Sequence, residues 1–297
     1  MAVTVYKSDD ASAPILTGTD GEFVALLQAC LVIGYGAKAP AGWSRPFTGT
    51  NKAAFRPGAG NQFYDRITDS EVSGTSRIYR HRGHVTMSDI DTGTELFPTA
   101  AQAATPGGAT YNTGLVPRPW IIIADSRTAY FFTDPSGLSL WQGCMFGDFF
   151  SYVGVGDGYR TAIVDTNLDK LVNSISSTIA GHYVPRAYNQ VGTALLIGKH
   201  GDRGRSLSST FLKGGVQYPN LPSGAIHLSP VYLHEIASPV VRGKLRGMWH
   251  WLHSLSGIGS GDTFSGTGDF TGKTFLLLPS SNGGVFCVET SNTWDTN

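Results

Sequence analysis

A chain of 297 residues can bury a large core, about three quarters of the surface that its unfolded form exposes, and suits one large domain or two ordinary ones. Its 22 Lys and Arg balance its 22 Asp and Glu, so the excess positive charge of a general phosphate-backbone binder is missing and no nucleic-acid partner is expected. Charged residues make up 15% against a usual share of about 25%, which together with 38 Gly, 15 Phe, 12 Tyr and 6 Trp predicts a β-rich, loop-rich protein whose surface is partly covered by partners.

No run of about 18 apolar residues occurs, so neither a transmembrane helix nor a membrane partner is expected. The opening MAVTVYKSDDASAP lacks the basic start and apolar core of a secretory signal, which predicts folding in a cytoplasm. Cys30, Cys144 and Cys287 are odd in number and sit in apolar surroundings; they read as buried thiols without a disulfide framework.

Residues 3–6 read as a short edge strand. Thr19-Asp20-Gly21-Glu22 matches a capping box, in which Thr accepts from the Glu22 N–H and the Glu carboxylate reaches back. Phe23, Leu26, Leu27, Cys30 and Leu31 follow at helical spacing, and Gly34 or Gly36 is placed to end the helix. Gly34–Trp43 reads as a loop, Phe47–Pro57 as a turn and strand, and Gln62–Thr68 and Arg77–Thr86 as alternating strands. Thr94–Gly108 is small and Pro-containing, which predicts a surface excursion. Trp120–Ala124 is an apolar, β-branched run. Asp125-Ser126-Arg127 turns it back, Thr128–Thr133 returns, and Leu138–Phe150 adds one or two strands after Asp134-Pro135-Ser136-Gly137. This antiparallel meander is the scaffold of the first half. Tyr159–Val164 is one more strand.

Asp165–Ala180 carries Leu168, Leu171, Val172, Ile175 and Ile179 at helical spacing and is predicted as a second helix. Gly181–Pro185 is read as the boundary between an N-terminal α+β lobe (1–180) and a C-terminal β-rich lobe (181–297). Short apolar runs at 193–198, 225–234, 240–246, 273–278 and 284–290 predict the strands of the second lobe, with Ser254–Gly272 as a loop. The fold class expected is α+β, predominantly antiparallel β with about two helices and β-sandwich-like lobes.

Candidate chemistry gives way to plainer readings. Gly272-Lys273-Thr274 lacks the first Gly of a phosphate loop and is followed by a strand, so it reads as a turn. Gly154-Val-Gly156-Asp-Gly158 has no third Gly at the place a dinucleotide fingerprint needs and opens no helix, so it reads as a loop. His81 and His84, with Asp89, Asp91 and Glu95, offer metal-ligand types, but residues three apart on a strand leave opposite faces. His227, His234, Glu235, His250 and His253 lie around Trp249 and Trp251, and read as structural or interface side chains. No G-x-S-x-G elbow occurs. No catalytic, cofactor-binding or metal residue is assigned, and the chain is not expected to be an enzyme.

Several stretches, taken in their order, resemble a family of virion structural proteins of tailed bacteriophages. They are Ala29–Trp43, Phe47–Gly58, Met87–Gly93, Met145–Phe149, Gly198–Asp202, Gly261–Ser265 with Gly272–Phe275, and Val288–Trp294. The resemblance implies a subunit that folds in the host cytoplasm and joins the virion, with copies of itself and other virion proteins as partners. Tail, baseplate, neck and capsid surface all stay open. Assembly contacts are expected at Gly34–Trp43, Thr94–Gly108 and Ser254–Gly272, because such contacts often come from loops on a rigid scaffold. The alternative is a host-surface or glycan-binding module using Trp43, Trp141, Trp249 and Trp251; a second alternative is an envelope or polysaccharide hydrolase.

Overall fold

The structure, a computed structural model, describes residues 2–73, 76–102, 110–112, 116–164, 182–192, 195–200, 217–235, 240–255, 257–279, 285–291 and 293–296. β1 (Thr4–Lys7) is followed by a helix, α1 (Glu22–Leu27), which runs on as a π-helical turn over Gln28–Ile33. It stops at Gly34, whose φ of 82° is left-handed and open to a residue without Cβ. Half of the expected capping box forms. Glu22 Oε2 accepts from the Thr19 N–H at 3.1 Å and from those of Thr17 and Gly18. The Thr19 hydroxyl meets Thr17 Oγ1 instead, and Gly21 is the N-cap. The Phe23 N–H goes to Asp69 Oδ2 at 2.7 Å, so a carboxylate 46 residues away supplies the missing cap.

A small antiparallel sheet follows: β2 (Ser44–Gly49), β3 (Lys52–Arg56), β4 (Tyr64–Ser73), β5 (Ser76–Asp89) and β6 (Thr92–Phe97), with β7 (Thr110–Asn112) beside β5. Burial alternates along β4 as a half-buried strand requires: Asp65, Ile67 and Asp69 face the core while Tyr64, Arg66 and Thr68 do not. The excursion expected over Thr94–Gly108 begins later, because residues 94–97 belong to β6; residues 103–109 lie outside the described ones.

The meander comes next as β8 (Trp120–Ala124), β9 (Thr128–Thr133), β10 (Gln142–Asp148), the two-residue β11 (Phe150–Ser151) and β12 (Thr161–Val164). Then come β13 (His182–Val184), β14 (Leu195–His200), β15 (Leu228–Glu235), β16 (Val240–Trp251), β17 (Thr263–Ser265), β18 (Thr274–Pro279) and β19 (Val285–Glu289). Among the described residues these strands and β1 make one 13-stranded sheet, in the order β1-β8-β9-β10-β12-β13-β14-β15-β16-β19-β18-β17, with β11 beside β16. β1 is its edge, as expected. The helix predicted over 165–180 lies outside the described residues. The boundary read at Gly181–Pro185 falls where β12 pairs with β13, Ile163 opposite Tyr183.

Cores form on both sides of the meander. Ile122, Phe131, Cys144, Phe146 and Ile163 face the small sheet and α1, packing on Phe23, Leu26, Phe55, Ile67 and Tyr79. Ile121, Ile123, Tyr130, Phe132 and Met145 face the other way, against Leu233, Leu245, Met248, Leu276 and Phe286. That is why residues 120–124 are apolar without alternation: both faces are covered. A third cluster, with Trp251, Phe275, Leu277 and Cys287, lies under Ile258, Phe264 and Phe270. Ser254–Gly272 is therefore a cover that turns Ile258, Phe264 and Phe270 inward while Leu255 stays exposed. The fold is predominantly antiparallel β with sandwich-like packing and, among the described residues, one short α-helix.

Candidate interaction surface

The motifs with chemical promise are dispersed by the fold. His81 and His84 leave opposite faces of β5: His81 meets Asp65 at 2.8 Å in the core, while His84 packs on the outer side near Gly93. Asp91 pairs with Lys52 and Arg66, Glu95 with Arg186, and Asp89 accepts from the Ile90 N–H. Lys273 pairs with Glu289 and enters β18, and Gly154–Gly158 is a turn-rich loop. His253 Nδ1–H donates to the Gln217 carbonyl, and its Nε2 accepts from the His227 N–H at 2.7 Å. Burial holds His253 below the usual imidazole range, and His227 adds to this against the pull of Gln217. All three cysteines are free and buried.

One constellation was illegible in the sequence. Asp65 (β4), His81 (β5) and Cys144 (β10) meet between the two sheets, where Tyr79 Oη lies 3.0 Å from Cys144 Sγ. Burial by itself would lower the His81 pKa, but Asp65 and Cys144 outweigh it and hold it well above 6.5. These are the residue types of a nucleophilic triad. All are at most 4% exposed, so substrate has no approach and the group acts as a core network.

A buried ionic cluster sits on β16. Arg242 directs Nε and Nη2 at Asp157 (3.0 and 2.7 Å), Nη1 at Glu235 (2.8 Å) and the Arg186 carbonyl, and Nη2 also at the Tyr159 carbonyl. All five donors of the guanidinium are thereby committed. Burial raises the Glu235 pKa although Arg242 pulls it down. Asp157 also accepts from the Ser151 hydroxyl and the Tyr159 N–H, so the 151–159 loop is built around it. Four residues along the strand, Arg246 does the same for the turn after β8, reaching Asp125, Thr128 Oγ1 and the Asp295 carbonyl.

Near the Arg242 clamp several apolar side chains stand in solvent. Val155 is 80% and Val191 70% exposed, beside the exposed Tyr152, Val153, Tyr188 and Val241. β11 pairs with β16, Tyr152 N–H donates to the Arg242 carbonyl, and Gln190 Nε2 donates to the Gly156 carbonyl, so two loops and a strand end are tied into one rim. The rim was missed because Val153 and Val155 stand among glycines, and nothing local distinguishes an exposed valine from a buried one. Elsewhere, a shallow open depression of 430 Å³ lies between Tyr218, Ile258, Asp262 and Phe264. Of the tryptophans weighed for glycan contact, Trp43, Trp141 and Trp251 are buried, and Trp249 is half-buried. No protein-family model matches the chain, and no curated protein sequence matches it.

Proposed function

We propose that the protein is a non-enzymatic structural component of a tailed-phage virion, assembling through repeated contacts between copies in a tail, baseplate, neck or capsid-surface ring. The observation that carries this reading is the rim of Tyr152, Val153, Val155, Tyr188, Val191 and Val241 over a saturated arginine clamp. Clustered apolar side chains left in water favour being covered, at about 25 cal/mol per Å² of apolar surface. A loop already held by Asp157 and Arg242 loses little further freedom on docking, so more of that gain becomes binding energy. In a closed ring one such patch is used by every copy, and modest contacts gain strength together. The low charge content and the order of the family-like stretches support the same reading.

Two measurements test it. Sedimentation velocity of the full chain is expected to reveal concentration-dependent association that Val155→Asp with Val191→Asp abolishes, the far-UV circular dichroism being unchanged. Mass spectrometry of purified particles from the phage that encodes the chain is expected to find it in many copies; its absence from those particles overturns the proposal.

A further inference from the structure

From Tyr152, at the border of the rim, a ribbon of half-exposed rings runs along the sheet. Tyr232 lies 6.5 Å from Tyr152, which lies 6.0 Å from Phe150, centroid to centroid. Lys244 Nζ bridges Phe150 and Trp249, 5.0 and 5.8 Å from their ring centres. Trp249 meets Phe270 at 4.9 Å, and Lys273 Nζ stands 5.8 Å over its ring. All of these side chains keep contact with solvent. Each ammonium is matched by a carboxylate: Lys244 with Asp295 at 2.6 Å and Lys273 with Glu289 at 2.9 Å.

We propose that this ribbon binds a neutral oligosaccharide, with Trp249 as its central stacking ring. A pyranose has an apolar C–H face and a rim of hydroxyls that both donate and accept. Aromatic faces suit the first through dispersion and the electron-rich ring surface. The ammonium donors of Lys244 and Lys273 and the half-exposed Asp295 carboxylate suit the second, while Glu289 is buried and serves only to balance Lys273. Because the two cations are balanced by two carboxylates, the ribbon has no net field to draw in a polyanion. Trp43, Trp141 and Trp251 take no part, since the core holds them.

Isothermal titration calorimetry of the full chain with maltohexaose and chitohexaose tests this, with an oligogalacturonate as the acidic counter-probe. Saturable binding of a neutral probe is expected, weakened at least tenfold by Trp249→Ala and severalfold by Tyr232→Ser. Sedimentation behaviour of both variants should stay that of the parent, because neither Trp249 nor Tyr232 is a rim residue. Should Trp249→Ala lose its near-UV signal through misfolding, Tyr232→Ser decides. Failure of both neutral probes to bind, tighter binding of the acidic probe, or unchanged affinity in Tyr232→Ser overturns the proposal.

Discussion

At the scale of single residues, two histidines three positions apart respond to pH in opposite directions. His84 is 4% exposed, and neither ring nitrogen has a hydrogen-bond partner. Burial, then Arg66 and Arg82, bring its pKa down to about 4. An imidazole depressed in the folded state disfavours folding once the unfolded chain takes up a proton, so its stability contribution is lost as pH falls from about 6.5 to about 4. His84→Phe keeps the ring volume and removes both unpaired nitrogens. It is expected to stabilise the protein by about 1 kcal/mol near neutrality and to flatten the acid limb of urea-unfolding free energies. His81 is raised instead, so its contribution is complete below about 6.5 and is lost as pH climbs through the folded-state value. Asp65→Asn should cost about 3 kcal/mol at pH 6, because the buried imidazolium loses its charge partner and gives up its proton, and should abolish the decline at higher pH. Nitrogen-15 spectra of His81, which should keep its proton to higher pH in the parent than in the variant, check the cause.

At the scale of elements, the helix depends on the sheet beneath it. α1 spans six residues, far too few to persist alone, since isolated helices under about 12 residues are marginal. Its apolar stripe was legible because Phe23, Leu26, Leu27, Cys30 and Leu31 recur at the helical period and are all buried. Asp69 was not legible as its cap, because nothing in a local window joins residues 46 apart. Asp69→Ala is expected to cost about 1–2 kcal/mol and to raise hydrogen exchange at the Phe23 amide selectively. The strand pattern was readable on similar grounds. β4 alternates because one face is wet, and β8 does not because both faces are dry. Ser254–Gly272 looked like exposed loop by composition, yet Ile258, Phe264 and Phe270 make it a lid on the third core.

For the whole molecule, the two arginines of β16 tie the C-terminal strands to the meander. Arg242 joins residue 157 to residue 235, and Arg246 joins residue 125 to residue 295. Arg242→Ala strands Asp157 and Glu235 in a dry site and is expected to cost about 3–5 kcal/mol in urea unfolding. The 151–159 loop should loosen with it, so the self-association proposed above should weaken even in the folded fraction. A triple change, Arg242→Met with Asp157→Asn and Glu235→Gln, should recover much of the stability, because no lone charge is left behind.

The amino-acid order alone determined most of the elements among the described residues, though β6, β13 and β17 fell in stretches read as loop or boundary. Periods of two and 3.6, β-branched runs and Gly or Pro stops are local, and they placed the meander, the first helix and most later strands close to where they lie. It also told His81 from His84, since a strand sends neighbours three apart to opposite sides. Only the tertiary structure decided which groups meet: Asp65 with His81 and Cys144, Arg242 with Asp157 and Glu235, valines among glycines with a surface rim. The physical reason is range. Backbone preference and amphipathic pattern act over a few residues, whereas pairing across a sheet, burial and exposure depend on chain segments tens to more than a hundred residues apart.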